Sequence, residues 1–155
     1  ADKRCNEFAA QQPGLTGSYR AWLLVDGQSL ADRFPEFVAP ATWNFTNTSA
    51  GLLAKSFTEL IEEGPAEPVA FTEAGDAVPE ALVWTGITKD GVAAGGDCAQ
   101  WTSEAGSPAL VGFSGYVPDL GPEALHWQLE RQWTDLSLKR FCGEKHPIYC
   151  VQVAD

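Results

Sequence analysis

Short apolar runs rich in β-branched and aromatic residues, cut by Gly, Pro, Asp and Ser, recur through residues 83–153: V-W-T-G-I, then G-D-C-A-Q-W-T-S, then Q-W-T-D-L-S-L-K-R-F-C, and finally H-P-I-Y-C-V-Q-V. Runs of this length and composition predict short strands joined by irregular loops rather than helices. Three of the four cysteines (Cys98, Cys142, Cys150) and four of the six tryptophans (Trp84, Trp101, Trp127, Trp133) fall in this half. Cross-links and the largest apolar side chains are therefore concentrated together, and Trp22, Trp84, Trp101 and Trp133 are expected in the core.

The first half alternates helical and extended patterns. Asp2 reads as an N-cap, Cys5, Phe8 and Ala9 recur at helical spacing, and Pro13-Gly14 ends the run, which predicts an amphipathic helix with Cys5 facing inward. Residues 19–25 are almost continuously apolar and close on Asp26-Gly27, the pattern of a strand buried on both faces. Ser29 caps one or two helical turns over 29–34. Residues 35–49 hold two prolines and a Thr/Asn/Ser cluster and read as an exposed loop, with overlapping N-x-[ST] glycosylation sequons at Asn44 and Asn47. Leu53, Phe57, Leu60 and Ile61 predict a second helix over 51–63, and E-P-V-A-F-T a short strand.

Composition bounds the class. A chain of 155 residues matches one domain with a single core. No apolar run approaches the roughly 18 residues of a membrane span, and no secretory leader opens the chain, so membrane insertion is not expected. The chain starts at Ala1 and contains no methionine, so its N-terminus is expected to come from cleavage, from the choice of expressed segment or from excision from a longer protein. Four cysteines without a C-x-x-C pair imply two disulfides and an extracellular or cell-surface location. Counting alone leaves three pairings open. A net charge of −11 disfavours nucleic acid, heparin-like polyanions and anionic lipid, all of which recruit Lys and Arg.

Catalytic signatures are missing from the text. His126 and His146 lie outside H-E-x-x-H and outside any Cys/His metal spacing, Ser114 lacks the G-x-S-x-G frame, and A-A-G-G-D has no following Lys-Ser/Thr. A glycan-active hydrolase with paired carboxylates is the least favoured reading. Loop aromatics often mark binding surfaces, and within residues 104–130 Phe113, Tyr116 and Trp127 are the candidate ligand-binding residues.

The ordered motifs D-K-R-C-N-E-F-A-A-Q-Q-P-G-L-T-G-S-Y-R-A-W-L, V-W-T-G-I-T-K-D-G, C-A-Q-W-T-S and I-Y-C-V-Q resemble the endostatin domain at the C-terminus of collagens fifteen and eighteen. They resemble still more a group of bacterial secreted domains related to it. The resemblance covers nearly the whole chain outside residues 35–47. It implies an α+β, C-type-lectin-like (endostatin-like) fold: a mixed, mostly antiparallel sheet with two short helices, long loops and two disulfides. The W-x-D segment of that fold matches Trp133-Thr134-Asp135 before Cys142. By order, the resemblance pairs Cys5 with Cys150 and Cys98 with Cys142. It also implies an additional N-terminal strand beside the closing strand, so an outside segment, from a precursor or a neighbouring subunit, is expected to complete the sheet at 148–153.

The arginine-rich heparin face and the N-terminal histidine zinc site of endostatin have no counterpart here. The function expected first is a non-catalytic extracellular interaction module for adhesion or assembly, without a cofactor, binding a protein or glycan. The alternative is a calcium-dependent lectin with Asp135 as a metal ligand, since hard cations take carboxylate oxygens. Against it, Thr134 replaces the expected Asn, and Glu67-Pro68 precedes a predicted strand rather than lying in a long loop.

Overall fold

The computed structural model describes residues 1–38, 45–46 (backbone), 51–69, 71–72, 74–78, 81–105, 107–114 and 132–154. The first helix, α1, spans Asp2–Ala9 and buries Cys5 and Ala9, four residues apart on one face. Phe8, expected beside them, is 40% exposed. Asp2 lies inside the first turn instead of capping it, and its Oδ1 accepts the Ala21 N–H at 3.0 Å and an Arg33 guanidinium N–H. Strand β1, Ser18–Ala21, runs beside this helix. The Asn6 amide accepts the Tyr19 N–H at 2.9 Å and donates to the Tyr19 carbonyl at 2.7 Å. One side chain thus supplies the pair of hydrogen bonds that a neighbouring strand would give, closing that edge.

The apolar run 19–25 is buried as its composition predicts, but the strand is shorter. Leu23 N–H turns back to the Ala21 carbonyl at 2.9 Å, which ends the ladder, while Trp22, Leu23 and Leu24 stay buried. Helix α2, Leu30–Arg33, begins with a capping box in which Ser29 and Asp32 exchange bonds, and the Ser29 side chain and N–H hold the Asp32 carboxyl below its ordinary range.

Residues Pro35–Val38 form a further helical turn, α3, with Phe37 buried, where the text reads as loop. Strand β2, Phe45–Thr46, pairs antiparallel with β3, Leu52–Ala54. Ser56 then caps α4, Phe57–Glu62, by accepting the Glu59 N–H. The helix expected over 51–63 therefore forms only in its second half, because the cap at Ser56 leaves the preceding residues extended. Four short right-handed helices, not two, are present among the described residues. Of the strand expected at E-P-V-A-F-T, the described residues show an isolated bridge between Phe71 and Ala77.

Strands β4 (Ala81–Trp84), β5 (Ala109–Ser114) and β6 (Leu138–Arg140) form an antiparallel sheet in that order. The closing strand β7, Cys150–Ala154, pairs antiparallel with β1. Just before it, the Trp22 N–H donates to the Tyr149 carbonyl at 2.9 Å and the Trp84 N–H to the Pro147 carbonyl at 3.0 Å, so residues 147–149 join the two sheets. The fold is thus mixed α+β with antiparallel sheets and short helices. No described helix is long and apolar enough to cross a membrane.

Two apolar clusters fill it. One is aromatic: Trp22 stacks on Phe34 at 5.0 Å and meets Trp133 at 5.2 Å, with Phe37, Phe57 and Tyr149 around them. The other gathers Cys5, Tyr19, Leu23, Trp84, Cys98 and Val111. Disulfides join Cys5 to Cys150 and Cys98 to Cys142, the pairing that the resemblance implied. Trp22, Trp84 and Trp133 are buried, whereas Trp101 is only half-buried.

Candidate ligand-binding cleft

Four consecutive non-glycine residues, Cys98, Ala99, Gln100 and Trp101, have φ of 52°, 54°, 59° and 61°. They make a single left-handed helical turn. An L-residue there brings its Cβ against the following carbonyl at about 1–2 kcal/mol each, so the turn stores on the order of 4–8 kcal/mol of local strain. Its neighbours hold it. The Asp97 carboxylate accepts the Gln100 N–H at 3.0 Å, the disulfide fastens Cys98 to Cys142, and the Trp101 indole N–H donates to the Leu24 carbonyl at 2.8 Å. Trp101 also meets the Trp84 ring at 5.8 Å and lies over Gly86, where an added Cβ would come within 2.7 Å of its Cζ2. Strain maintained by its surroundings is concentrated at functional sites.

Glycine at an exposed position of this turn removes the Cβ clash at some cost in unfolded-chain entropy. Ala99→Gly is expected to stabilise the domain by roughly 0.5–1 kcal/mol, visible as a Tm rise of about 1–4 °C. A lower Tm for this variant would show that the left-handed turn is not strained.

The turn forms one wall of a solvent-open cleft of about 310 Å³. Asp2 and Lys3 enter from the first turn of α1, Leu23, Val25 and Gln28 from the segment after β1, Arg33 from the end of α2, and Gln100 and Trp101 from the left-handed turn. Arg33 and Asp2 form an ion pair, and Arg33 Nη2 also approaches the Ala21 carbonyl at 3.3 Å. Arg33 Nε is buried and has no acceptor among the described residues. The Gln28 Oε1 accepts the Val25 N–H at 3.4 Å. Gln100 is exposed, and among the described residues its amide group makes no hydrogen bond. A second shallow recess of about 250 Å³, lined by Ser29, Asp32 and Val92 among others, shares Gln28 with the first.

Those residues singled out in the sequence that are described lie elsewhere. Phe113 is not in a loop: it sits half-buried in β5 opposite Leu82, and its carbonyl accepts the Tyr149 hydroxyl at 2.9 Å. Burial pushes the Tyr149 phenol well above its ordinary pKa. Tyr116, Trp127, His126, Asn44 and Asn47 lie outside the described residues.

Asp135 clamps two loop segments, its Oδ2 accepting the Lys89 N–H at 3.0 Å and its Oδ1 the Ser137 N–H at 2.7 Å. Among the described residues, no three His, Cys, Asp or Glu side chains gather as a metal site would require. Ser114 is buried in β5, and His146 sits against Glu144 at 3.2 Å and edge-on to Trp84. Gln28, Arg33 and Gln100 carry no sequence signal of a site, since Gln and Arg are ordinary surface residues until a cleft collects them. The chain matches no family model and no curated protein, so its functional reading rests on this cleft.

Proposed function

We propose that this chain is a non-catalytic extracellular interaction module, binding a glycan or protein partner at the cleft beside the left-handed turn. The observation that carries this reading is the turn itself: a strained backbone held in place by a disulfide, a cap and an indole hydrogen bond, with an exposed Gln100 and a half-buried Trp101 at its end. Two disulfides suit an oxidising compartment, and a net charge of −11 sets nucleic acid and heparin apart from the partners. The test is to screen the immobilised domain against a glycan array and a panel of extracellular proteins, with released products assayed in parallel. Retention of a partner without turnover supports the module. Cleavage of a bound glycan, or retention of nothing, defeats it.

The alternative, a calcium-dependent lectin centred on Asp135, asks a carboxylate already accepting two backbone N–H groups to exchange or share them with a cation. Calcium and a chelator are therefore expected to leave Tm unchanged. A ligand that binds the native state must raise Tm, so a calcium-induced rise abolished by Asp135→Asn would favour the lectin instead.

A further inference from the structure

We infer that the cleft takes one end of a short neutral oligosaccharide, an inference that rests on the interaction-module reading and narrows it to a ligand class. A sugar ring offers C–H groups on one face and hydroxyls on its rim, so its receptor needs an aromatic surface beside planar groups that both donate and accept. The cleft brings these together. Trp101 lines the cleft, and its indole N–H is already committed to the Leu24 carbonyl, which fixes the ring and leaves only its carbon atoms to offer a ligand. Gln100 supplies an amide with a donor and an acceptor side, exposed and making no hydrogen bond among the described residues. Gln28 stands between the two recesses and lines both.

Charge selects the neutral class. The Arg33 guanidinium is answered by Asp2, the Lys3 ammonium lies 3.6 Å from Glu7, and the domain as a whole carries −11. With both cationic side chains of the cleft beside a carboxylate and the domain as a whole at −11, the field does not favour a uronic acid or sulfated chain, and the Asp2 carboxylate is too engaged to reward a cation. Size limits the occupant. Recesses of about 310 and 250 Å³ lie at or just under the small end of the roughly 300–1,000 Å³ range of ligand clefts, which suits a few linked sugar rings crossing Gln28. Openness to solvent implies weak binding whose selectivity comes from the hydroxyls that Gln28 and Gln100 meet.

The test is titration of the oxidised domain, followed by tryptophan fluorescence and calorimetry, with three neutral hexasaccharides (cellohexaose, mannohexaose, galactohexaose) and the anionic hexagalacturonate. At least one neutral hexamer is expected to bind, and hexagalacturonate is not. Gln100→Gly is expected to weaken that binding about tenfold, the worth of one or two hydrogen bonds, while raising Tm because the strain is relieved. Gln100→Ala, which removes the amide but keeps the Cβ, is expected to weaken binding to the same extent without raising Tm, which separates loss of the amide from relaxation of the turn. Gln28→Ala should weaken binding independently.

Equal affinity in parent and Gln100→Gly, preference for hexagalacturonate, or silence of all three neutral hexamers overturns the inference. Should the hexamers fail while an extracellular protein is retained, the ligand class is wrong and the interaction module stands. If neither sugars nor proteins are retained, both fall.

Discussion

Replacing Cys5 and Cys150 together by alanine is expected to cost about 5 kcal/mol, because the bridge closes a loop with a sequence separation of 145 and removes that much chain entropy from the unfolded state in the entropic model. Net stabilities of domains are only about 5–15 kcal/mol, so the double variant should be largely unfolded or melt far below the parent. The bridge ties α1 to the closing strand through a cysteine that is 1% exposed, and alanine avoids placing a hydroxyl in that apolar cluster. The Cys98–Cys142 bridge, with a separation of 44, is worth about 4 kcal/mol by the same model, and its loss also releases the left-handed turn. Urea unfolding under oxidising and reducing conditions measures both. A Cys5/Cys150 variant with the parent's urea midpoint would mean that Asn6 and Asp2, bonded to Tyr19 and Ala21, hold α1 in place without the cross-link.

Trp22→Ala is the second large effect, expected at about 3–5 kcal/mol for truncating a large aromatic in a packed core. Trp22 is 0% exposed and touches Phe34, Phe57 and Trp133, so its removal opens a cavity whose walls are the other rings of the cluster. Its indole N–H is buried without an acceptor among the described residues. An unmade hydrogen bond of that kind already costs the fold about 1–3 kcal/mol, so Trp22→Phe, which removes the group with only part of the volume, should cost much less than alanine. Chemical denaturation of the two variants checks the ordering. A Trp22→Phe variant as unstable as Trp22→Ala would show that the indole N–H has a partner and that volume is not the deciding quantity.

Much of this architecture was legible because it depends on local chemistry. Ser29 and Asp32 are three residues apart and cap α2 with their own side chains, so the start of that helix is written in four consecutive residues. The run 19–25 reads as buried because nothing polar interrupts its apolar members except Arg20, and Ala21 through Leu24 are indeed enclosed. Cysteine and tryptophan enrichment between 83 and 153 signals a cross-linked β core, since those side chains have few stable places outside one. The pairing of the cysteines came from the order of motifs in a resembling family, and counting could not have chosen it.

Other features belong to the assembled chain. Asp2 has the letters of an N-cap, but Ala21, 19 residues on, and Arg33, 31 residues on, offer its carboxylate an N–H and a guanidinium, and those charge-assisted bonds outweigh one local cap. Ser56 divides what periodicity alone reads as one helix, because a serine can cap as well as ride along. Phe113 looks like a loop aromatic and is a strand residue, since pairing with β4 is a property of two segments and not of one. Farthest from the text is the cleft. C-A-Q-W contains no glycine to announce positive φ, and its backbone is turned left-handed by a disulfide to a residue 44 positions away and an indole bond to a carbonyl 77 positions away. Local propensity opposes that conformation at every one of the four residues; only the long-range contacts, each made by the finished fold, are strong enough together to impose it.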